Sequence, residues 1–376
     1  MFRTLSVVAK SATHSVNALW ALVRCGLSIT RTYFWWKKVY WPFQSLFMQS
    51  SYSEFLQSRY LSFIAAYVIP LLGPSPSQFK EPPCSYMGDD HTPIELSWVL
   101  SSDGKHTVRF TLEPLSGVDG SPTPSWTWIN SLYEFSSIGN VQEFNTDWAL
   151  TCFETLVFEG NNVPKQISQH SSQFSVGADF THDGIVGKAY FLPHLRSQAT
   201  GISQMDLVTS CMNELDLGSQ WKVVASYFTE APHLAATPDI VAIDCVHKSK
   251  NRAKIYVRCN ASSLDEITEV FTLGQKLNGP LIDQAVKMIK EVWHSLFHGK
   301  DDDQRLESNN PDHFASRFVL YFELAPEREI PFPKLYIPVR HYCKNDALVG
   351  EALGQLYKQE KYGIRETYLR DIQSAL

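Results

Sequence analysis

The sequence lacks the cysteine spacings that mark a zinc site or a disulfide-stapled domain. Its seven cysteines are scattered, odd in number and never arranged as CxxC. Reduced thiols in a cytoplasmic protein fit this distribution better than a disulfide framework. No long apolar run is present either, because Val16–Val23 is too short to span a bilayer and Arg24 ends it. The sequence therefore predicts a protein without an integral membrane segment.

Positive charge is not in excess, because 33 lysine and arginine residues stand against 39 aspartate and glutamate residues, giving a net charge of -6. A protein with this balance has no general electrostatic attraction for nucleic acid. The start of the chain is an exception, since it has six basic residues and no acidic one before Glu54. An organelle transit peptide, a peripheral membrane helix and a misplaced start codon all stay open as explanations.

Four segments alternate β-branched or aromatic residues with polar ones, as strands do. They are Thr107–Leu112, Gly184–Leu192, Ala253–Cys259 and Pro333–Val339. By contrast, Glu54–Leu72 and Leu277–His298 have apolar residues at helical spacing. Strands separated by helical stretches at near-regular intervals predict a helix-surrounded sheet or barrel built from repeated units.

Three of the strand segments contain the same K-x-Y triplet: Lys188–Tyr190, Lys254–Tyr256 and Lys334–Tyr336. Residues two apart in a strand point to the same face, so each triplet places an ammonium and a phenol together. Arg252 adds a cation on the face of Lys254, and Arg109 lies in the first strand segment. Burying these groups without carboxylates is costly, so an anionic ligand is expected to balance them. The alternative is that the strands face water.

Lysine and arginine together bind a multiply charged oxyanion, and tyrosine rings stabilise an adjacent carbocation. When an allylic diphosphate ionises, the leaving diphosphate needs the oxyanion-binding groups and the remaining allylic cation needs the tyrosine rings. The magnesium-binding alternative lacks its motif, because Asp301–Asp303 and Asp89–Asp90 have no acid at the fifth position of a DDxxD. His294 and His298 have metal-ligand spacing without the accompanying glutamate. We therefore expect binding through cations, with no metal site and no cofactor.

A proton acceptor is also needed when an aromatic ring is substituted. Glu95 lies in the short apolar context TPIELSW, shortly before the strand that carries Arg109. A carboxylate there could accept a hydrogen bond from a ring N–H or O–H. The alternative for Glu95 is a surface position at a strand edge.

The chain resembles the dimethylallyl tryptophan synthase family of fungal aromatic prenyltransferases from about residue 35 to its C-terminus. The segments that carry the resemblance are YLSFIAAYVIPLLGP (60–74), TPIELSW (92–98), VRFTLEP (108–114), FEGNNVPKQISQHSSQFSVGADF (158–180), GKAYFLP (187–193), RAKIYVR (252–258), FELAPE (322–327) and PKLYIPVRHYCKND (333–346). Each is weak alone, but their order and spacing are specific to the family.

The resemblance implies an antiparallel barrel of ten strands ringed by helices, an α+β fold made of ααββ repeats, with metal-independent chemistry in its centre. It assigns a diphosphate cage and a tyrosine shield to the residues that match the family's motifs. These are Arg109, Lys188, Tyr190, Arg252, Lys254, Tyr256 and Tyr336, with Lys334 where relatives have Gln or Lys. Glu95 matches the glutamate that engages the acceptor's ring N–H.

Two departures from the family pattern are visible. Indole-prenylating relatives have a lysine near the position of Gln173–Ser175, and this chain has none there. The final proton acceptor, and tryptophan as the substrate, therefore stay open. The family normally continues with another strand pair, whereas this sequence stops at Leu376 in a predicted helix, Arg365–Leu376. We therefore expect an N-terminal extension of uncertain role over residues 1–34 and a barrel domain over residues 35–376 that lacks its last strands.

The leading hypothesis is a cytoplasmic, metal-independent prenyltransferase of fungal secondary metabolism. Dimethylallyl diphosphate would be its donor, and an indole or another electron-rich aromatic, such as a polyketide, its acceptor. A homodimer is compatible with this sequence. Two other hypotheses stay open: a catalytically impaired, truncated relative that binds ligand without turnover, and a magnesium-dependent terpene enzyme.

Overall fold

The computed structural model describes residues 29–76, 85–88, 90–101, 103–116, 122, 143–159, 170–357 and 368–375. Residues 1–28, which make up most of the predicted N-terminal extension, lie outside this set, as does Asp89. The chain divides into two compact units. The first takes its residues from 1–142, 175–187 and 370–376, and the second from 143–174 and 188–369. The boundary predicted between residues 34 and 35 stays a prediction.

The described elements comprise helices and antiparallel strands. The α-helices are α1 Ile29–Gln49, α2 Glu54–Phe63, α3 Asp147–Leu156, α4 His194–Thr200, α5 Gln204–Glu214, α6 Gly218–Glu230, α7 Leu264–Thr272, α8 Pro280–Leu296, α9 Val339–Tyr342, α10 Asp346–Tyr357 and α11 Tyr368–Ala375. The strands are β1 Ile94–Val99, β2 Thr107–Leu112, β3 Phe174–Phe180, β4 Ile185–Phe191, β5 Thr237–Asp244, β6 Ala253–Arg258, β7 Val319–Leu324 and β8 Phe332–Tyr336. They are hydrogen-bonded in chain order, β1 to β8, in one antiparallel sheet flanked by helices.

Most of the predicted elements are confirmed, with different ends. The strand predicted over Thr107–Leu112 has those bounds. The strand predicted to run to Val339 ends at Tyr336, because Val339 already begins a helical turn. The helix predicted over Glu54–Leu72 is α-helical only to Phe63. A π-helical turn and a 3-10 turn containing Pro70 then finish it, since proline cannot continue the α-helical hydrogen bonds.

The first unit packs an aromatic core between its strands and its first two helices. Phe180 of β3 lies at the centre, with ring centroids 4.8 Å from Tyr60, 5.6 Å from Phe110 and 6.0 Å from Phe43. Alternation along β2 sends Val108, Phe110 and Leu112 to this core, where all three are fully buried. The opposite face of the same strands is left to polar side chains.

The second unit packs helices against one face of β5 to β8. Phe228 of α6 lies 6.1 Å from Phe322 of β7, and Trp293 of α8 lies 5.6 Å from Phe318. Phe318 and Phe322 are fully buried, as is Ile255 of β6. These apolar residues alternate with the polar residues described below. Within the described part of the chain, no helix combines the length and the apolar character that crossing a membrane would require.

Candidate active site

One face of the sheet in the second unit carries a continuous set of polar side chains, which we call the second polar face. Strand register places Lys188 opposite Asp244, and Lys254 opposite Glu323. The members of the face are Lys188, Tyr190, Asp244, Lys254, Tyr256, Tyr321, Glu323, Lys334 and Tyr336. Because residues paired across an antiparallel ladder point to the same side, the three K-x-Y triplets share this face.

Asp244 is the centre of the cationic part of this face. Its Oδ1 binds Lys188 and accepts a hydrogen bond of 2.9 Å from Lys254, and its Oδ2 accepts one of 2.8 Å from the Arg252 Nε. Burial alone would raise the pKa of this carboxyl. The charges of Lys188, Lys254 and Arg252 outweigh that effect and hold the pKa well below its usual range. Asp244 is therefore ionised whenever the protein is folded near neutral pH.

For Lys254, burial outweighs the attraction of the neighbouring carboxylate, so its charged form is disfavoured. Burial disfavours its charged form, and repulsion from Lys188 adds to this effect, while Asp244 opposes it. The pKa of Lys254 falls to about 7 as a result. One carboxylate thus cannot neutralise two buried lysines and an arginine, so positive charge at this point is held in excess.

Glu323 forms a second node on the same face. Its carboxylate lies 3.1 Å from Arg252 Nη1, 3.0 Å from Arg328 Nη1 and 3.8 Å from Lys334 Nζ. The glutamate side chain is almost completely buried, whereas Lys334 is 46% exposed. Arg252 therefore bridges the Asp244 and Glu323 nodes and makes one connected network of them.

The presence of these carboxylates corrects one step of the sequence analysis. The expectation that the cations lack carboxylate partners is wrong, because Asp244 and Glu323 occupy strand positions that face them. The anionic ligand inferred from that expectation stays a prediction. Among the ion pairs that the structure describes, these two carboxylates contact five cationic side chains, those of Lys188, Arg252, Lys254, Arg328 and Lys334, so cations outnumber acids in this network. A multiply charged oxyanion would complete that balance.

Tyrosines form the adjoining part of the second polar face. The Tyr256 ring centroid lies 5.1 Å from Tyr321 and 5.7 Å from Tyr336, and the latter two are also 5.7 Å apart. Lys334 Nζ lies 5.2 Å from the Tyr321 ring centroid. Burial, then interactions with Tyr336 and Tyr190, raises the pKa of Tyr256 well above its ordinary value. Tyr256 therefore stays neutral and can donate a hydrogen bond at any physiological pH.

The first unit has its own polar face, formed by Glu95 and Ser97 of β1, Arg109 and Thr111 of β2, and Ser175 and Asp179 of β3. Arg109 binds Asp179 through both Nε and Nη2. Glu95 is accessible to solvent, yet burial by the surrounding protein raises its pKa, against the effect of the Arg109 charge. Both observations hold for a carboxyl on a concave surface, which a ring N–H or O–H could reach.

The structure brings together all the predicted residues of the second unit: Lys188, Tyr190, Arg252, Lys254, Tyr256, Lys334 and Tyr336. Glu95 and Arg109 share the polar face of the first unit. Sequence reasoning missed Asp179, Asp244, Tyr321 and Glu323, although alternation along β7 places Tyr321 and Glu323 two residues apart on one face. Among the residues that the structure describes, no cluster of three His, Cys, Asp or Glu side chains could hold a metal ion.

Comparison with known proteins identifies the class. The chain belongs to the tryptophan dimethylallyltransferase family, whose model matches residues 31–371. Its relatives include 7-dimethylallyltryptophan synthase of Aspergillus fumigatus, 29% identical over 349 residues, which cover 86% of this chain and 73% of that protein. Another is 4-O-dimethylallyl-L-tyrosine synthase of Claviceps purpurea, 29% identical over 330 residues, or 84% and 74% of the two chains. This protein is therefore an aromatic prenyltransferase.

Solved structures share the fold. The crystal structure of AnaPT from Neosartorya fischeri superposes with a TM-score of 0.77 at 22% identity, over 92% of this chain and 84% of that chain. The 6-dimethylallyltryptophan synthase of Micromonospora olivasterospora superposes with a TM-score of 0.68 at 16% identity, over 89% and 86%. The antiparallel sheet with flanking helices thus matches the prenyltransferase fold of these proteins.

Proposed function

We propose that this enzyme transfers a dimethylallyl group from its diphosphate to an electron-rich aromatic ring, without a metal ion, through an allylic cation. The observation that supports this most is the concentration of cationic side chains beside the tyrosine cluster on the second polar face. A surplus of cations fits the leaving diphosphate, and electron-rich rings beside it fit the cation that remains.

In this proposal the diphosphate binds to Lys188, Arg252, Lys254 and Lys334. The bond between C1 of the donor and the bridging oxygen breaks, and the electron pair leaves with the diphosphate. Positive side chains stabilise the negative charge that develops on this leaving group in the transition state. Arg109 is proposed to assist on the evidence of its motif, with its guanidinium oriented by Asp179.

Tyr190, Tyr256 and Tyr336 are the proposed shield of the allylic cation. Each ring face could stabilise a cation by about 0.5–2 kcal/mol, and together the rings keep water away from C1 and C3 of the allyl group. Tyr321 is proposed as a further member of the shield because its ring packs against Tyr256 and Tyr336. Exclusion of water matters because water would convert the cation to dimethylallyl alcohol.

Glu95 is proposed to bind the acceptor. Its carboxylate would accept a hydrogen bond from the ring N–H or O–H, and it would take the proton that the acceptor releases when its new bond to the prenyl carbon is complete. The two named relatives act on tryptophan and on the tyrosine oxygen, so indoles and phenols are both candidates here. A phenolic polyketide belongs to the same chemical class.

The number of strands in the barrel, the cellular location and the oligomeric state are proposals as well. The family resemblance supports a ten-stranded barrel as the architecture to which the eight described strands belong, and the cysteine distribution supports a cytoplasmic enzyme. A homodimer is open to test by light scattering at several protein concentrations. A mass that stays at one chain, 42.7 kDa, at all of them would contradict the dimer.

Incubation of the purified protein with labelled dimethylallyl diphosphate and a panel of indoles, tyrosine and naphthols tests the function. We expect a prenylated product that forms equally well with EDTA. Product that requires magnesium would support the terpene-enzyme alternative instead. Donor binding without any product would support the catalytically impaired relative.

A further inference from the structure

Glu113 is a buried carboxyl that no step of the proposed chemistry uses. It directly follows β2, and only 1% of its surface is exposed. Its Oε2 accepts a hydrogen bond of 2.6 Å from the Ser85 hydroxyl and one of 3.3 Å from the Tyr86 backbone N–H. The Ser85 oxygen in turn accepts from the Met87 N–H at 3.2 Å. Glu113 therefore fixes the backbone of residues 85–88, which we call the covering segment.

Strand register places Glu113 beside the proposed acceptor carboxylate. The Glu113 N–H donates to the Pro93 carbonyl at 2.9 Å, which continues the β1–β2 ladder by one residue. Thr111, two residues earlier, lies opposite Glu95. Glu113 and Glu95 are thus diagonal neighbours on the polar face of the first unit, with Cα atoms about 7–8 Å apart.

Tyr86 provides a second attachment of the covering segment to the same face. Its hydroxyl donates to the Ser175 oxygen at 2.8 Å, and Ser175 lies on β3 with its side chain on the face of Asp179. Ser85 and Ser175 are buried, while Tyr86 and Met87 are half-buried. The covering segment therefore lies across β2 and β3 with part of its surface open, next to the accessible Glu95.

A loop that only needed to be held down could be held by apolar contacts. A carboxylate that accepts both a hydroxyl and a backbone N–H also fixes the direction of the segment, and burial makes such a group costly unless its bonds are formed. An aromatic acceptor bound at Glu95 must be oriented to within a fraction of an ångström for one ring atom to react. The covering segment is bonded to this face at Glu113 and Ser175, and Glu113 is the diagonal neighbour of Glu95.

We propose that Glu113 is a positioning residue for the aromatic acceptor: it holds the covering segment as a wall beside Glu95, and Tyr86 sets the ring shapes that this wall admits. The inference rests on the proposed function of Glu95 as the acceptor's partner. It assigns Glu113 no contact with the substrate. Its effect reaches the acceptor through the backbone of residues 85–88.

The test compares Glu113→Ala with Glu113→Gln and with the control Glu266→Ala. Glu266 is a suitable control because its Oε2 also holds a short segment of backbone, accepting from the N–H groups of Ser262 and Ser263 at the start of α7. For each variant, kcat and KM are measured with the best acceptor of the panel, together with the ratio of regioisomeric products. Binding of dimethylallyl thiolodiphosphate is measured by calorimetry.

We expect Glu113→Ala to lower kcat/KM for the acceptor about tenfold and to change the regioisomer ratio, while the donor Kd stays within about twofold. Glu113→Gln should retain most acceptor efficiency, because its amide oxygen can still accept from Ser85 and Tyr86. Glu266→Ala should leave the regioisomer ratio unchanged. Equal losses for donor and acceptor in Glu113→Ala, or an unchanged regioisomer ratio, would overturn the proposal.

Amide hydrogen exchange separates failure of this inference from failure of the proposed function. If the wild-type protein alkylates no aromatic compound, the proposed function fails by itself. Faster exchange confined to residues 85–88 in Glu113→Ala would still support the positioning role, and unchanged exchange there would overturn it. If Glu113→Ala does not fold, Ser85→Ala removes one of the two bonds to the carboxylate and is expected to change the regioisomer ratio in its place.

Discussion

Lys188 and Asp244 face each other across β4 and β5, and the lysine ammonium donates to the same carboxylate oxygen that Lys254 binds. Two lysines from different strands are thereby held within reach of one oxyanion before any substrate arrives. Preorganised charge of this kind does not have to be assembled during the reaction. In the proposed donor site, Asp244 would thus position the two lysines although it carries the sign of charge that a diphosphate repels.

Replacement of Asp244 by asparagine should weaken donor binding in a pH-dependent manner. Without the aspartate charge, the pKa of Lys254 should fall below about 7, so this lysine loses its proton at lower pH than in the wild type. We expect a donor Kd at least about tenfold weaker at pH 8 and a smaller difference at pH 6, measured by calorimetry with the thiolodiphosphate. A Kd ratio that is the same at both pH values would contradict this role.

The titration of Lys254 makes a separate prediction for the wild-type protein. Its pKa is about 7 in the free protein, and a bound diphosphate must raise that pKa by attraction. Lys254 therefore takes up a proton when the donor binds above pH 7, and donor affinity should fall as pH rises from about 7 toward 9, by up to tenfold per unit. Calorimetry in buffers of different ionisation enthalpy should detect the proton uptake.

Lys254→Arg is the matched control, because an arginine keeps its charge over this whole range. Its donor affinity should lose the dependence on pH between 7.5 and 9. The ionisation of the diphosphate itself is common to both proteins and cancels in the comparison. Parallel pH profiles for the two proteins would show that Lys254 is not the titrating group.

The sequence predicted the strands with K-x-Y triplets because alternation is a local pattern that survives without knowledge of the fold. The lysine and the tyrosine of each triplet, such as Lys188 and Tyr190, could be placed on one face of their own strand by that pattern alone. Asp244 and Glu323 could not, since their role depends on which residue lies opposite them in a neighbouring strand. The role of Glu113 could not be predicted from the sequence for the same reason, because its partner Ser85 is 28 residues away in a segment without regular structure.

Replacement of Lys188 and replacement of Glu95 should change different kinetic constants of the enzyme. Lys188→Ala removes a donor ligand and should raise the KM for dimethylallyl diphosphate, whereas Glu95→Ala should mainly lower kcat, by about 100-fold or more. Steady-state kinetics with each substrate varied in turn measures both effects. Negligible or identical effects of the two substitutions would remove both site assignments.

Tyr336 should protect the cation from water. It is 45% exposed and forms the open side of the tyrosine cluster, so its removal admits water without emptying the core. Tyr336→Ala should raise the fraction of donor converted to dimethylallyl alcohol several-fold, as counted from labelled products. Tyr33→Ala, at a 54% exposed position of α1, is the control and should leave this fraction unchanged. An unchanged alcohol fraction in Tyr336→Ala would argue against the shield.

Glu113 should make the stability of the protein depend on pH in a direction opposite to most carboxyl groups. Burial raises its pKa from an ordinary value of 4.5 to about 7, with the bonds from Ser85 and Tyr86 opposing the rise. Between these values the folded state binds more protons than the unfolded state, so the contribution of Glu113 is favourable below pH 4.5 and is lost as pH rises through 7. The loss amounts to about 3 kcal/mol, since each pKa unit corresponds to about 1.4 kcal/mol.

Glu113→Gln should abolish this pH-dependent contribution to stability while keeping the hydrogen bonds from Ser85 and Tyr86. Urea unfolding at intervals between pH 5 and pH 8 gives the free energy of unfolding of both proteins. Groups that titrate in both cancel in the difference, so the variant should gain stability relative to the wild type as pH rises and level off above pH 7. If the difference stays constant across the range, Glu113 is already ionised in the folded protein at pH 5, and its carboxylate is better solvated than its burial indicates.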